Sequence, residues 1–190
     1  MRPPLVRRSL LQGLVLTLLL WTLVTGQAQA QTQGADLALL QLQRQEGELT
    51  LDFDVRITLP KAVEDAMQRG VPVYFVAEAT LLRSRWYWRD ERVARVQRSW
   101  RVAYQPLTST WRVGFSGFNQ SFQTLGEALT VVSRSTRWKL AELAQLDPDA
   151  RHYLEFSYRL DNSQLPSPLQ LGLGAQADWV LGVERTLRVE

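Results

Sequence analysis

The chain is predicted to be mainly β: an antiparallel β-sandwich of immunoglobulin-like architecture with two short helices, preceded by an N-terminal signal helix. Three observations predict it. Apolar and polar residues alternate over residues 48–59 and again over 151–160, the period of a half-buried strand. Turn-forming residues separate such runs: Gly47, Asp90-Glu91-Arg92, Pro106 to Ser109 and Asp147-Pro148-Asp149. Helix start and stop signals accompany two short stretches, residues 60–70 and 124–133.

Residues 1–30 read as a secretory signal peptide. Arg2, Arg7 and Arg8 precede an apolar run over residues 10–24, and Ala28-Gln29-Ala30 is a small-x-small cleavage site. The run is about 15 residues, short of the roughly 20 that span a bilayer. An uncleaved inner-membrane anchor is the alternative, and Arg7-Arg8 partly matches a twin-arginine signal. The expectation is a periplasmic protein with one domain, residues 31–190.

Residues 36–44 are a first strand. In residues 48–59, Leu49, Leu51, Phe53, Val55, Ile57 and Leu59 face one way, and Thr50, Asp52, Asp54, Arg56 and Thr58 the other. Residues 60–69 form a helix, with Pro60 in its first turn, an apolar stripe of Ala62, Val63, Ala66 and Met67, and Gly70 in the left-handed position behind it. A long strand, 73–88, turns at Asp90-Glu91-Arg92 and returns as 93–104. Residues 110–115 continue the meander, and 116–121 are a polar loop. Thr124 and Glu127 have capping-box spacing before a helix over 125–133, with Leu125, Ala128, Leu129 and Val132 on one side. Residues 137–144 are a strand. In 151–160, Leu154, Phe156, Tyr158 and Leu160 share a face; a proline-containing loop (161–174) and a last strand (178–189) follow.

Composition bounds the function. With 190 residues, 45% hydrophobic and 22% charged, the chain is globular. The absence of cysteine excludes disulfides, zinc–thiolate sites and a cysteine nucleophile, and a single histidine leaves little for a histidine-built metal centre. Residues 1–30 hold three arginines and no acid, so the remainder carries 19 basic and 19 acidic groups. The high isoelectric point therefore gives no reason to expect nucleic-acid binding. Charge is uneven: residues 83–101 hold seven arginines against Asp90 and Glu91.

That basic block is the main candidate site. Strand geometry sends Leu82, Ser84, Trp86 and Trp88 to one face and Arg83, Arg85, Tyr87 and Arg89 to the other. An odd-numbered turn pairs Trp86 with Val96 and Tyr87 with Arg95, and keeps like charges from facing each other. A polar face of Arg83, Arg85, Tyr87, Arg95 and Arg101 results, suited to anions or to a docking partner because guanidinium forks hold carboxylates and phosphates bidentately. The plainer reading is a solvated face balanced by Asp52, Asp54 and Glu78. Trp86, Trp88, Trp100 and Trp111 are expected in the core.

Catalytic constellations are weak. His152 has no cysteine or second histidine and reads as a solvent-facing strand residue. In Gly114-Phe115-Ser116-Gly117 the second glycine is one place too early for a nucleophile elbow, and Gly172-Leu173-Gly174 is too short for a phosphate loop. Asp147 and Asp149 are ordinary turn residues, and Asp52 with Asp54 lacks the further oxygen ligands of a calcium loop. No catalytic residue, metal or cofactor is expected, and a carboxylate-based hydrolase is the least favoured alternative.

The runs RSRWYWRDE (83–91), RVAYQPLTSTWRVG (101–114), QSFQTLGEAL (120–129) and RLDNSQLPSPLQ (159–170) together resemble an exported proteobacterial family, domain of unknown function 4390. The resemblance implies no activity and transfers no functional residue. It implies an N-terminal export or membrane segment, and gene adjacency to a membrane histidine kinase of the nitrogen-regulation type. The expected function is that of a non-enzymatic exported interaction module, its partner an envelope protein such as that kinase. A small-anion or glycan-binding envelope module is the alternative. Membrane contact is expected only through an uncleaved signal.

Overall fold

Residues 34–87, 89–165 and 179–189 are described by a computed structural model, and they fold into two antiparallel sheets. The signal segment lies outside the described residues, as do Trp88 and residues 166–178. Along the chain run β1 (Ala35–Gln45), β2 (Glu48–Ile57), α1 (Lys61–Gln68), β3 (Val73–Arg83), β4 (Glu91–Gln105), β5 (Thr110–Phe115), β6 (Phe118–Phe122), α2 (Leu125–Val132), β7 (Arg134–Glu142), β8 (His152–Leu160) and β9 (Gly182–Val189). The small sheet has the order β1-β2-β7 and the large one β6-β5-β4-β3-β8-β9. Each helix marks a crossing: α1 carries the chain from β2 to β3, and α2 carries it back from β6 to β7.

The alternation in β2 does what its period predicts, with Leu49, Leu51, Phe53 and Val55 all buried. Their side chains meet the inner face of the large sheet, where Phe75, Ala77, Ala79 and Leu81 of β3 lie beside Leu154, Phe156, Tyr158 and Leu160 of β8. Phe53 sits where the layers join. Its ring lies 6.0 Å from Trp138 of β7, 6.4 Å from Trp100 of β4, and 5.1 Å and 6.2 Å from Phe156 and Tyr158. Such tilted and edge-on contacts suit the ring quadrupole, so the two sheets share one core. The buried Tyr158 hydroxyl donates to the Val132 carbonyl at 3.1 Å, fastening the end of α2 to the large sheet.

Local chemistry explains the ends of the helices. Glu127 N–H donates to Thr124 Oγ1 at 3.2 Å, and the Glu127 carboxylate accepts from the Thr124 N–H at 3.3 Å, closing the capping box. Pro60 stands just outside α1 with extended backbone, and Gly70 beyond it has φ +88°. Asp52 accepts from the backbone N–H of Arg137 at 2.6 Å. That bond holds Arg137 at φ 48°, in the irregularity between the Leu51–Trp138 and Phe53–Ser135 pairs.

Several expectations are corrected. Residues 118–122 are strand β6, not loop: Ser116 and Gly117 both have positive φ, which makes a two-residue hairpin turn whose twist suits the flanking strands. Polar β6 gave no apolar alternation because its residues 118–121 are all exposed. β9 starts at Gly182 rather than 178. His152 is buried, 7% exposed, because it continues the inward face of Leu154, Phe156 and Tyr158. The largest correction concerns β3, which ends at Arg83 instead of reaching residue 88. Arg83 pairs with Glu91, and Leu81 with Ala94, so the connection is the loop 84–90 and Glu91 already belongs to β4. The proposed pairs Trp86–Val96 and Tyr87–Arg95 do not form.

Candidate functional site

The loop 84–90 leaves β3 at Arg83 and enters β4 at Glu91, and opposite charges flank it. Arg83 Nε donates to Glu91 Oε2 at 3.0 Å, and the Nη2 atoms of Arg83 and Arg85 both reach the same oxygen. Arg83 Nη1 also lies 3.5 Å from Asp147 Oδ2, in the turn before β8. Beneath the loop, Asp90 accepts from the Arg85 backbone N–H at 3.1 Å and from the Tyr153 hydroxyl. The Ser84 N–H donates to the Arg151 carbonyl at 2.8 Å. One acid thus clasps two arginines across the neck of the loop, while a second ties its base to β8.

Protonation follows from these bonds. Arg83 holds the Glu91 carboxyl below its ordinary value. Tyr153, with the Arg85 N–H, does the same for Asp90. The carboxylate of Asp90 in turn pushes the Tyr153 phenol up to about 12.

What the clasp presents is aromatic. Trp86 is 93% exposed and Tyr87 69%, their rings edge-on with centroids 5.0 Å apart. Trp86 is therefore not in the core as expected, whereas Trp100 and Trp111 are. A packed aromatic of this size buries 150–250 Å², worth about 4 kcal/mol or more at ~25 cal/mol/Å². That free energy is left unrealised at Trp86.

The five residues predicted to share one face are separated. Arg83 and Arg85 are held at the clasp. Tyr87 projects from the loop. Arg95 lies on the outer face of the large sheet, where it donates to Glu78 at 2.8 Å. Arg101 stands exposed on that face, beside Tyr74 and Gly114. Of the balancing acids, Glu78 serves, while Asp52 and Asp54 lie on the small sheet. The misassignment came from reading the phase of β3 at Trp86. Read from Val73, the inward positions are Val73, Phe75, Ala77, Ala79 and Leu81.

Asp90, Glu91 and Tyr153 were not singled out from the sequence. The run Arg-x-Arg followed by Asp-Glu around a hairpin tip was the available signal for the first two. Tyr153 becomes visible only through the Leu82–Tyr153 register of β3 and β8. A further missed residue is Arg98, which points between the sheets. Its guanidinium carbon lies 5.1 Å from the Trp138 ring and 5.7 Å from Phe115, and Nη1 donates to Ser135 Oγ. Burial lowers its pKa. Among the described residues no carboxylate forms an ion pair with it.

Among the described residues no group of three or more histidines or acids is placed to hold a metal, and no helix is long and apolar enough to cross a membrane. Residues 32–188 match a family described as Domain of unknown function (DUF4390). The match covers most of the chain, which therefore belongs to that family. No curated protein and no solved structure matches the chain.

Proposed function

Proceeding from that membership, we propose that the chain is an exported, non-enzymatic interaction module of the cell envelope, which binds a protein partner through the loop 84–90. The partner class we favour is an envelope protein such as a membrane sensor kinase. The observation that carries this reading is the exposure of Trp86 and Tyr87 on a loop whose backbone is fixed by the Glu91 clasp and the Asp90–Tyr153 bond. Tryptophan and tyrosine are the residues that most often anchor interfaces, and rigid support lowers the entropy cost of binding.

The test is capture of partners by the tagged chain from crosslinked envelopes, against the Trp86→Ser/Tyr87→Ser double variant. An envelope protein retained by the wild type and lost in an equally stable variant supports the reading. Equal capture by both removes the loop from the interface, and quenching of Trp86 by an anionic envelope glycan without any protein captured replaces the protein partner with a glycan.

A further inference from the structure

Beside the loop, β4 has a partner on only part of one side. β3 pairs with β4 from Glu91 to Val102, but β5 pairs with it only from Trp100 to Gln105. The turn at Ser116 and Gly117 reverses β5 there, and the Phe115 ring stacks on Trp100, centroids 5.5 Å apart. Residues 91–99 therefore form a free sheet edge, to which no other backbone group among the described residues bonds. At 3.3–3.4 Å per residue it is about 30 Å long.

Natural edges are guarded, and the manner of guarding matters. β1 is broken by an irregularity between Leu37 and Leu39 and carries both Asp36 and Arg44. β6 has five residues. β9 mixes Glu184 with Arg185 and Arg188. The β4 edge has an irregularity at Val93, because Leu81 pairs with Ala94 and Leu82 with Arg92, but it runs regularly over residues 94–99. It has no proline, and beyond Glu91, whose charge the clasp neutralises, its charges are all positive: Arg92, Arg95 and Arg98. Arg95 has Glu78; Arg92 and Arg98 have no ion-pair partner among the described residues. Such an edge repels a basic strand and favours an acidic one, which can pair with its cations. On the inward side Ala94 and Val96 are only partly buried, and Arg98 waits between Trp138 and Phe115 with Ser135 as its hydrogen-bond acceptor.

We infer that the β4 edge over residues 91–99 receives an extended acidic segment of a partner protein as an added strand, one inward carboxylate of which pairs with Arg98. Main-chain hydrogen bonds along the edge supply affinity, and alternate side chains supply specificity. The inference rests on the reading of the chain as an interaction module, but on a different observation from the exposed loop.

The probe is an acetylated (Glu-Val)4-Glu peptide, its binding to the full chain followed by fluorescence anisotropy and by amide exchange of residues 91–99. Binding should protect β4 amides. It should weaken at least tenfold for the (Gln-Val)4-Gln analogue and for a Glu peptide N-methylated at alternate residues, whose charge is unchanged but whose strand edge cannot bond. Arg98→Gln should cost about tenfold as well; the N-methylated peptide keeps the test valid if that variant unfolds. Absence of binding by the Glu peptide, or equal binding of the N-methylated one, overturns the inference. If capture through Trp86 and Tyr87 persists in that case, the interaction-module reading survives alone. If the peptide binds and nothing depends on the aromatic pair, the loop reading is the one that fails.

Discussion

β3 and the loop that follows it are neighbours in sequence with opposite fates. In residues 73–81 every second side chain is buried, between β4 on one side and β8 on the other. Residues 84–87 read in the sequence as more of the same strand, yet Trp86 and Tyr87 stand in water. What differs is the cover. The strand body lies beneath β2 and its partners, whereas the tip runs past the last layer, where polar bonds replace packing. Alternation therefore marks a strand face only as far as there is a second sheet to bury it. Beyond that limit the same residue types are a surface.

Breaking the body should have the largest effect. Phe53→Ala removes the ring that touches Trp100, Trp138, Phe156 and Tyr158, and should destabilise the domain by about 3–5 kcal/mol in denaturant unfolding. A loss below 1 kcal/mol would mean the two sheets do not share a core. Thr124→Ala opens the capping box of α2 and should cost about 1 kcal/mol by the same measurement.

At the tip the expected effects are spectroscopic. The Tyr153 phenol should titrate near 12, and Asp90→Asn should return it towards 10. Because the folded value is raised, the Asp90–Tyr153 contribution is complete below about 10 and is lost as the pH rises through the folded value. Glu91 and Asp90 are depressed, so their contribution holds above the ordinary carboxylate values of 4.5 and 3.8 and disappears as the pH falls through the lower folded ones. Protection of the Arg85 amide, relative to its intrinsic exchange rate, should fall in that acid range before the core unfolds; protection that persists until global unfolding would show that Asp90 does not hold the loop. The smallest effect belongs to Trp86→Ser with Tyr87→Ser, which should change stability by no more than about 0.5 kcal/mol.

Legibility followed the same boundary. The paired, covered strands β2 and β8 were readable because each alternates under a complete layer, and α2 because Thr124 and Glu127 carry their own local bonds. β6 was not, since polar side chains on an exposed edge carry no period. The basic block stood out in the sequence, but its geometry was not readable. Arg83 and Arg85 meet Glu91 through a register set by the inward phase of β3, and Tyr153 reaches Asp90 from a strand 63 residues away in sequence. Arg98 was not legible as a buried cation, because only the packing of β7 over β4 brings Trp138 to its guanidinium. The proline-containing loop 161–174 lies largely outside the described residues.

The most direct test of the central claim is site-specific photo-crosslinking in living cells. A photoreactive residue is placed at Tyr87, and separately at Leu107, fully exposed in the turn between β4 and β5 at the opposite end of β4. A discrete adduct from position 87, absent from position 107, is the result predicted for a clasped aromatic loop that binds a partner. The same adducts from both positions, or none from 87, would contradict it.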